Sequence, residues 1–260
     1  MGLFSKRRTR VSAAGSVQIS EQDGIRYLHL GSDTIQSGMR IGVPEELVLS
    51  YTRSMLAFLL FVPEPERVVN VGLGGGSLAK WIHAHLRAAQ QVVLEIDPRV
   101  ITVARQYFSL PPDDWRLRVI EEDGAAWLRA QPECADVILV DGYDGREQVA
   151  ELSNDEFYRD AARALRGNGV LVVNLWGNDR RFDTYVQGIE AAFDGQVCCL
   201  PAAQRGNVIA MGFKRKPLAT RWDELRERAR QLEAVYGLEF LQFVAALKRL
   251  NPHTARRLLI

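Results

Sequence analysis

Apolar residues along this chain follow two rhythms, and from Val68 onward the two alternate regularly. Short continuous runs such as Val68-Val69 and Val137-Ile138-Leu139-Val140 are bounded by Gly, Pro, Asn or Asp and read as buried strands. Stripes at three- and four-residue spacing, such as Leu78, Trp81, Ile82 and Leu86, read as helices packed on one face. The pattern predicts strands at 68–71, 92–96, 117–120, 135–140, 169–175, 196–200 and 207–213. Between them it predicts helices at 77–87, 98–108, 124–130, 153–166 and 180–193, with a loop at 141–152. Strand and helix in strict succession mean a doubly wound, mostly parallel α/β sheet of Rossmann type, covered by helices on both faces.

The flanks have different patterns. Residues 16–42 are strand-like, with Val17, Ile19, Ile25, Tyr27, Leu28 and Leu30 around an Asp23-Gly24 hairpin signal. Pro44-Glu45-Glu46 predicts a helix start, Leu47, Tyr51, Met55, Phe58, Leu59 and Val62 its buried stripe, and Pro63 and Pro65 its end. Ser153-Asn154-Asp155-Glu156 has the form of a capping box. Trp222 to Leu247 is amphipathic and charged, as expected of a terminal helix packing on the domain or on a second subunit. The expected organisation is a disordered basic tail at 1–15, a small β-strand domain at 16–46, a Rossmann-like catalytic domain at 47–216 and a helical segment at 217–260.

Composition narrows the function classes. A chain of 260 residues, 47% apolar and 25% charged with a formal net charge of +1, is ordinary globular protein without a nucleic-acid footprint. Cys134, Cys198 and Cys199 are too few and too poorly spaced for a disulfide framework or a zinc site, so no metal is expected and a reducing cytoplasm fits. Met1 to Arg10 lacks the apolar core of a signal peptide, and Lys6 stands where a myristoylation motif has Ser or Thr. Leu47 to Val62 is short for a membrane span and carries Arg53, so no membrane association is expected.

In an open parallel sheet, ligands bind at the carboxyl ends of the strands, so the residues that follow each strand are the functional candidates. The first strand runs into Gly72, Gly74, Gly75 and Gly76, with Ser77 opening a helix: a turn that lets a nucleotide approach closely. Glu95 ends the second strand about twenty residues on, where a carboxylate accepts hydrogen bonds from a ribose diol. Asp123-Gly124 suits an adenine amine, or serves only as a turn or helix cap. Together they favour an adenosine-containing cofactor, and spacing alone does not separate NAD from an S-adenosyl compound. Asp141 and Asp144 share the loop after the most apolar strand and suit a cationic substrate. An alkylamine titrates about three units above neutrality, so freeing it for attack at pH 7 costs about 4 kcal/mol, which a positioned carboxylate offsets.

The order of these pieces resembles the spermidine synthase (polyamine aminopropyltransferase) family over residues 16–215: a small β domain, a Tyr-containing helix, the glycine loop, Glu95-Ile96-Asp97, Asp123-Gly124 and Asp141-x-x-Asp144. The resemblance implies a class I methyltransferase-like fold. It implies an enzyme that moves an aminopropyl group from decarboxylated S-adenosylmethionine to a small-molecule amine, and a homodimer. By position, Glu95 would hold the ribose, Asp123 and Gly124 the adenine, Asp141 would accept the proton and Asp144 would bind the distal ammonium. Tyr51 would wall the amine pocket, Gln36 would match a Gln of the family's hairpin, and Asn174 stands where the family has Gln. Tyr143 is a further wall candidate.

The departures from the family sit in the same places. Gly75 replaces the loop Asp that grips the donor's amine, Ala203 replaces a pocket Tyr, and Thr52 replaces Gln or His. A loop of bare N–H groups would tolerate the carboxylate of intact S-adenosylmethionine, whereas the Asp141/Asp144 pair favours aminopropyl transfer. The sequence therefore leaves an aminopropyltransferase in front, an S-adenosylmethionine-dependent methyltransferase behind it, and a nucleoside-binding homologue without turnover as a third reading.

Overall fold

A computed structural model describes residues 9–12, 17–31, 35–142, 149–204 and 206–260. Strands β1 (Thr9–Ser12), β2 (Val17–Gln22), β3 (Ile25–Leu30) and β4 (Ser37–Arg40) form an antiparallel sheet in sequence order. The Asp23-Gly24 turn joins β2 to β3 in the expected register, Gln22 opposite Ile25. Within the stretch expected as a disordered tail, Thr9–Ser12 instead pairs with β2, Thr9 facing Glu21 and Ser12 facing Gln18. This sheet buries Val17, Ile19, Leu28 and Met39 against Val103 and Phe108, so its core is shared with the larger domain.

Helix α1 (Ser50–Met55) begins six residues after Pro44 and continues as a 3-10 helix over Leu56–Leu60. The predicted start fails because residues 40–46 fold back on themselves. Val43 N–H donates to Arg40 O (3.1 Å), Glu46 N–H to Val43 O (3.0 Å), and Arg40 pairs with Glu46. Thereafter come β5 (Arg67–Val71), α2 (Ser77–His85), β6 (Gln90–Glu95), α3 (Pro98–Tyr107), β7 (Leu117–Glu121), α4 (Gly124–Ala130) and β8 (Ala135–Val140). The domain closes with α5 (Asp155–Ala164), β9 (Leu165–Trp176), α6 (Phe182–Ala192), β10 (Val197–Pro201) and β11 (Asn207–Phe213).

These seven strands run in the order β10-β11-β9-β8-β5-β6-β7, parallel from β9 through β7, with β11 antiparallel to both β9 and β10. The order reverses at β5, whose neighbours are β6 and β8, and the crevice above the β5 and β8 ends is where such a sheet binds ligands. One face packs Val68, Leu139 and Val172 against Phe58, Ile82, Trp222 and Phe240; the other packs Val69, Ile138 and Leu171 against Phe157, Tyr158 and Ile189.

Two local expectations are corrected. The α5 cap is Asn154, whose Oδ1 accepts from Phe157 N–H (2.9 Å), while the Ser153 hydroxyl is drawn back to Val149 O (3.0 Å). The terminal amphipathic stretch is two helices, α7 (Trp222–Tyr236) and α8 (Phe240–Leu247), because Gly237 adopts the left-handed conformation (φ 68°) that ends a helix. Both pack on the first face of the sheet, and Arg53 of α1 pairs with Glu239 at 2.8 Å. Among the described residues no helix is long and apolar enough to cross a membrane.

Candidate active site

A cavity of about 380 Å³ opens at the carboxyl ends of β5, β6, β7 and β8, lined by Gly72, Gly74, Glu95, Asp123, Gly124 and Asp141 among others. The strands meet tightly at its floor. Gly72 (φ 95°) would, with a Cβ, collide with the carbonyl oxygen of Asp141, so the ends of β5 and β8 can touch only at glycine. Gly124 is similarly closed, since a Cβ there would lie 2.5 Å from Val71 Cγ1.

The glycine loop divides in function. Gly72 and Gly74 line the cavity, whereas the Cβ directions of Gly75 and Gly76 run into Phe108 (2.8 Å) and Leu110 (2.9 Å) beyond α3. Gly75 and Gly76 therefore pack the loop on the segment that follows α3 and are not among the residues lining the cavity, whereas the sequence placed them with Gly72 and Gly74 at the cofactor. Four of the loop's N–H groups are engaged: Gly72 with Leu94 O, Leu73 with Glu95, Gly75 with Ser37 Oγ (2.9 Å) and Gly76 with Leu73 O.

Glu95 sits half-buried at the end of β6, where Oε2 accepts from Leu73 N–H (3.0 Å) and Oε1 from Asp97 N–H (3.0 Å). Burial pushes its carboxyl above the ordinary range, against the pull of these donors. Each oxygen keeps a lone pair for a ribose hydroxyl. Asp97, next but one, faces outward as the α3 cap; the Arg99 guanidinium beside it holds its carboxyl below the usual range. Asp123 is the α4 cap and lines the cavity as well. Its Oδ1 accepts from Ala125 and Ala126 N–H, which leaves Oδ2 for a ligand amine.

Asp141 is the most enclosed of these carboxylates. Oδ1 accepts from Asn174 Nδ2 (2.8 Å) on β9, and Oδ2 from the Tyr51 hydroxyl (3.0 Å) on α1. The Tyr51 hydroxyl also lies 3.1 Å from the carbonyl of Gln36, which lines the cavity, so α1, the N-terminal sheet and β8 meet at this carboxylate. Burial raises the Asp141 carboxyl, while the amide and the phenol pull it partly back. The result is a carboxylate more basic than one in water, still accepting hydrogen bonds from two fixed donors.

Asn207, which sequence reasoning missed, completes this chain of bonds: its Nδ2 donates to Asn174 Oδ1 at 2.9 Å. That bond fixes which end of the Asn174 amide faces Asp141. Asn207 and Asn174 lie on adjoining antiparallel strands, and only the register (Asn174 opposite Ile209, Asn207 opposite Trp176) brings them together. The Thr52 hydroxyl donates to Leu49 O (2.7 Å) inside its own turn. Ala203 borders a separate hollow of about 340 Å³ against Phe243, Ala246 and Arg249 of the C-terminal segment. Tyr143 and Asp144 lie outside the described residues. Among those described, no group of three His, Cys, Asp or Glu side chains is placed to hold a metal.

The sheet order, with its cavity at the β5 switch point, defines a class I methyltransferase-like α/β fold. The profile of the spermine/spermidine synthase domain matches residues 49–221, and the chain belongs to that family. It is 45% identical, over 98% of both chains, to a polyamine aminopropyltransferase of Chromobacterium violaceum. Two solved structures share the fold. A probable spermidine synthase from Corynebacterium glutamicum has a TM-score of 0.74 at 18% identity, covering 96% of this chain and 99% of its own. A spermidine synthase in complex with the transition-state analogue AdoDATO has 0.73 at 21% identity, covering 93% and 86%.

Proposed function

We propose that this chain is an aminopropyltransferase that moves the aminopropyl group of decarboxylated S-adenosylmethionine to the nitrogen of a small-molecule amine, releasing methylthioadenosine. The observation that carries the chemistry is Asp141: a half-buried carboxylate at the switch point, made more basic by desolvation and aimed by Tyr51 and Asn174. The activity named for the 45% identical relative supports the same reading.

Asp141 takes a proton from the acceptor's ammonium, which frees the nitrogen lone pair. That nitrogen bonds to the carbon beside the donor's sulfonium; the carbon–sulfur bond breaks and its electron pair stays on sulfur, leaving a neutral thioether and a secondary ammonium. Releasing the first proton at pH 7 costs about 4 kcal/mol for an ordinary alkylamine, and a raised carboxylate within reach of it offsets part of that. Glu95 accepts from the ribose hydroxyls, and Asp123 Oδ2 from the adenine amine with Gly124 allowing close approach. Gln36, Tyr51 and Asn174 belong to the amine side, and Asp144 and Tyr143 complete it as ammonium binder and wall.

The runner-up reading, methyl transfer from intact S-adenosylmethionine, has less behind it, since the 45% identical relative is named for aminopropyl transfer. The protein is tested by incubation with decarboxylated or intact donor and a mixture of amines, followed by mass analysis. Methylthioadenosine with an amine heavier by one aminopropyl unit is expected. S-adenosylhomocysteine with a methylated product would overturn the assignment, as would binding without turnover.

Three expectations of setting go with this reading. Ile35, Ile41 and Val43, exposed around β4, support association of two copies through the N-terminal sheet. Three free thiols, Cys134, Cys198 and Cys199, support a reducing compartment such as the cytoplasm. A net charge of +1 supports a small-molecule partner over a nucleic acid.

A further inference from the structure

Helix α1 carries Tyr51, which donates to Asp141, yet it is only six residues long and no side chain caps its N-terminus. A helix that short is not stable by itself, so its seat is set by what grips it from outside. Tyr51 and Arg53 are two residues apart and leave the helix on nearly opposite sides. One side meets the site, and the other is held by Arg53. The seat matters because the Tyr51 hydroxyl offers its single hydrogen to two acceptors, Asp141 Oδ2 at 3.0 Å and Gln36 O at 3.1 Å. A small shift of α1 decides which of them takes it.

Arg53 makes three bonds at once. Nη1 donates to the carbonyls of Leu47 (2.9 Å) and Val48 (3.1 Å), in the connection that enters α1, and Nε donates to Glu239 Oε1 (2.8 Å). Glu239 is the N-cap residue of α8, but its carboxylate makes no bond to the start of that helix. It turns to Arg53 instead and forgoes a favourable cap. The two side chains are only 25% and 21% exposed, so water screens this pair less than one on an open surface. Neither α7 nor α8 contributes a residue to the lining of the main cavity, and the family profile ends at residue 221, before both helices. Their link to the site runs from Glu239 to Arg53, along α1 to Tyr51, and from Tyr51 to Asp141.

We propose that Arg53 and Glu239 are positioning residues for proton transfer: the pair seats α1 on the C-terminal helices and thereby keeps the Tyr51 hydroxyl on Asp141. The inference rests on the reading of the chain as an aminopropyltransferase with Asp141 as its proton acceptor. It adds a contribution from a part of the chain that never touches the substrates.

The test is steady-state kinetics of aminopropyl transfer on Glu239→Gln, which keeps the size of the side chain and removes its charge. At neutral pH kcat is expected to fall about three- to fivefold, short of the loss in Tyr51→Phe, since the hydroxyl is displaced and not removed. The KM for decarboxylated S-adenosylmethionine should stay within about twofold, because Glu95 and Asp123 are untouched. Made in a Tyr51→Phe chain, the same substitution should change kcat by less than about twofold, the group it positions being gone. Arg53→Lys, which keeps the charge but cannot make all three bonds, should show the same split between kcat and KM. An equal fall in both backgrounds would make the pair a support of the fold alone, and it overturns the inference. So does a donor KM that rises with the fall, or an unchanged kcat in both variants. A wild-type chain without aminopropyl transfer overturns the functional assignment and this inference with it, whereas one that transfers the group and is indifferent to Glu239→Gln and Arg53→Lys overturns this inference alone.

Discussion

Glu95 and Asp141 are both half-buried carboxylates at the ends of parallel strands, both lining one cavity and both raised by desolvation, yet they are held by different kinds of donor. Glu95 is tied to main-chain N–H groups of Leu73 and Asp97, in its own strand end and in the neighbouring loop. Asp141 is tied to two side chains, Tyr51 from α1 and Asn174 from β9, that come from elements remote in sequence. In the proposed mechanism, a carboxylate on backbone donors organises the loop for a nucleoside. One on side-chain donors has its basicity set by residues free to vary, which is what proton transfer requires.

Breaking this comparison at its reactive end has the largest expected effect. Asp141→Asn keeps the size of the side chain but removes the base, so turnover should fall about 10²- to 10⁴-fold while methylthioadenosine binding changes little. Steady-state kinetics beside calorimetry measure both, and unchanged turnover would remove Asp141 from the mechanism. At the other end, Glu95→Gln sets an amide N–H₂ against one of two backbone N–H donors. The donor's KM should then rise about 10- to 100-fold with a smaller change in kcat, because a charge-assisted bond to the loop and one to the ribose are weakened together. A fall confined to kcat would contradict the division of labour.

Tyr51→Phe gives the smallest and most diagnostic effect. The phenol's hydrogen bond lowers the Asp141 carboxyl, so its loss leaves the carboxyl higher still. The proton acceptor works only when ionised. The acid limb of the kcat/KM profile should therefore move to higher pH in the variant, with activity at pH well above that limb reduced only several-fold. A limb that stays put, or moves down, would mean that Asp141 is not the group it reports.

The fold was largely legible because its signal is repeated. Each strand from Val68 onward is a short run of β-branched and aliphatic residues, each helix a periodic stripe, and the ligand edge follows from their alternation. Cavity-lining residues that follow a strand, such as Glu95, Asp123 and Asp141, could be proposed from position alone. Residues that act across strands could not. Asn207 becomes meaningful only once antiparallel pairing with β9 sets it beside Asn174. The direction of each glycine in the loop was likewise invisible, since a run of Gly74-Gly75-Gly76 does not say which faces the cavity and which faces Phe108 or Leu110. Local end signals misled where a competing bond was available: the Arg40–Glu46 pair displaced a helix start, and the Ser153 hydroxyl turned back on Val149.

The packing around Gly75 also limits how this enzyme can change. The ring of Phe108 fills the direction a side chain would take, Ser37 closes the other side, and the Phe108 carbonyl is itself held by the buried Lys80 ammonium at 2.7 Å. A carboxylate cannot enter the loop by one exchange, because neighbours in contact couple and the ring and serine must move with it. A change at position 75 is therefore tied to changes at Phe108 and Ser37, an epistatic barrier around a single loop glycine.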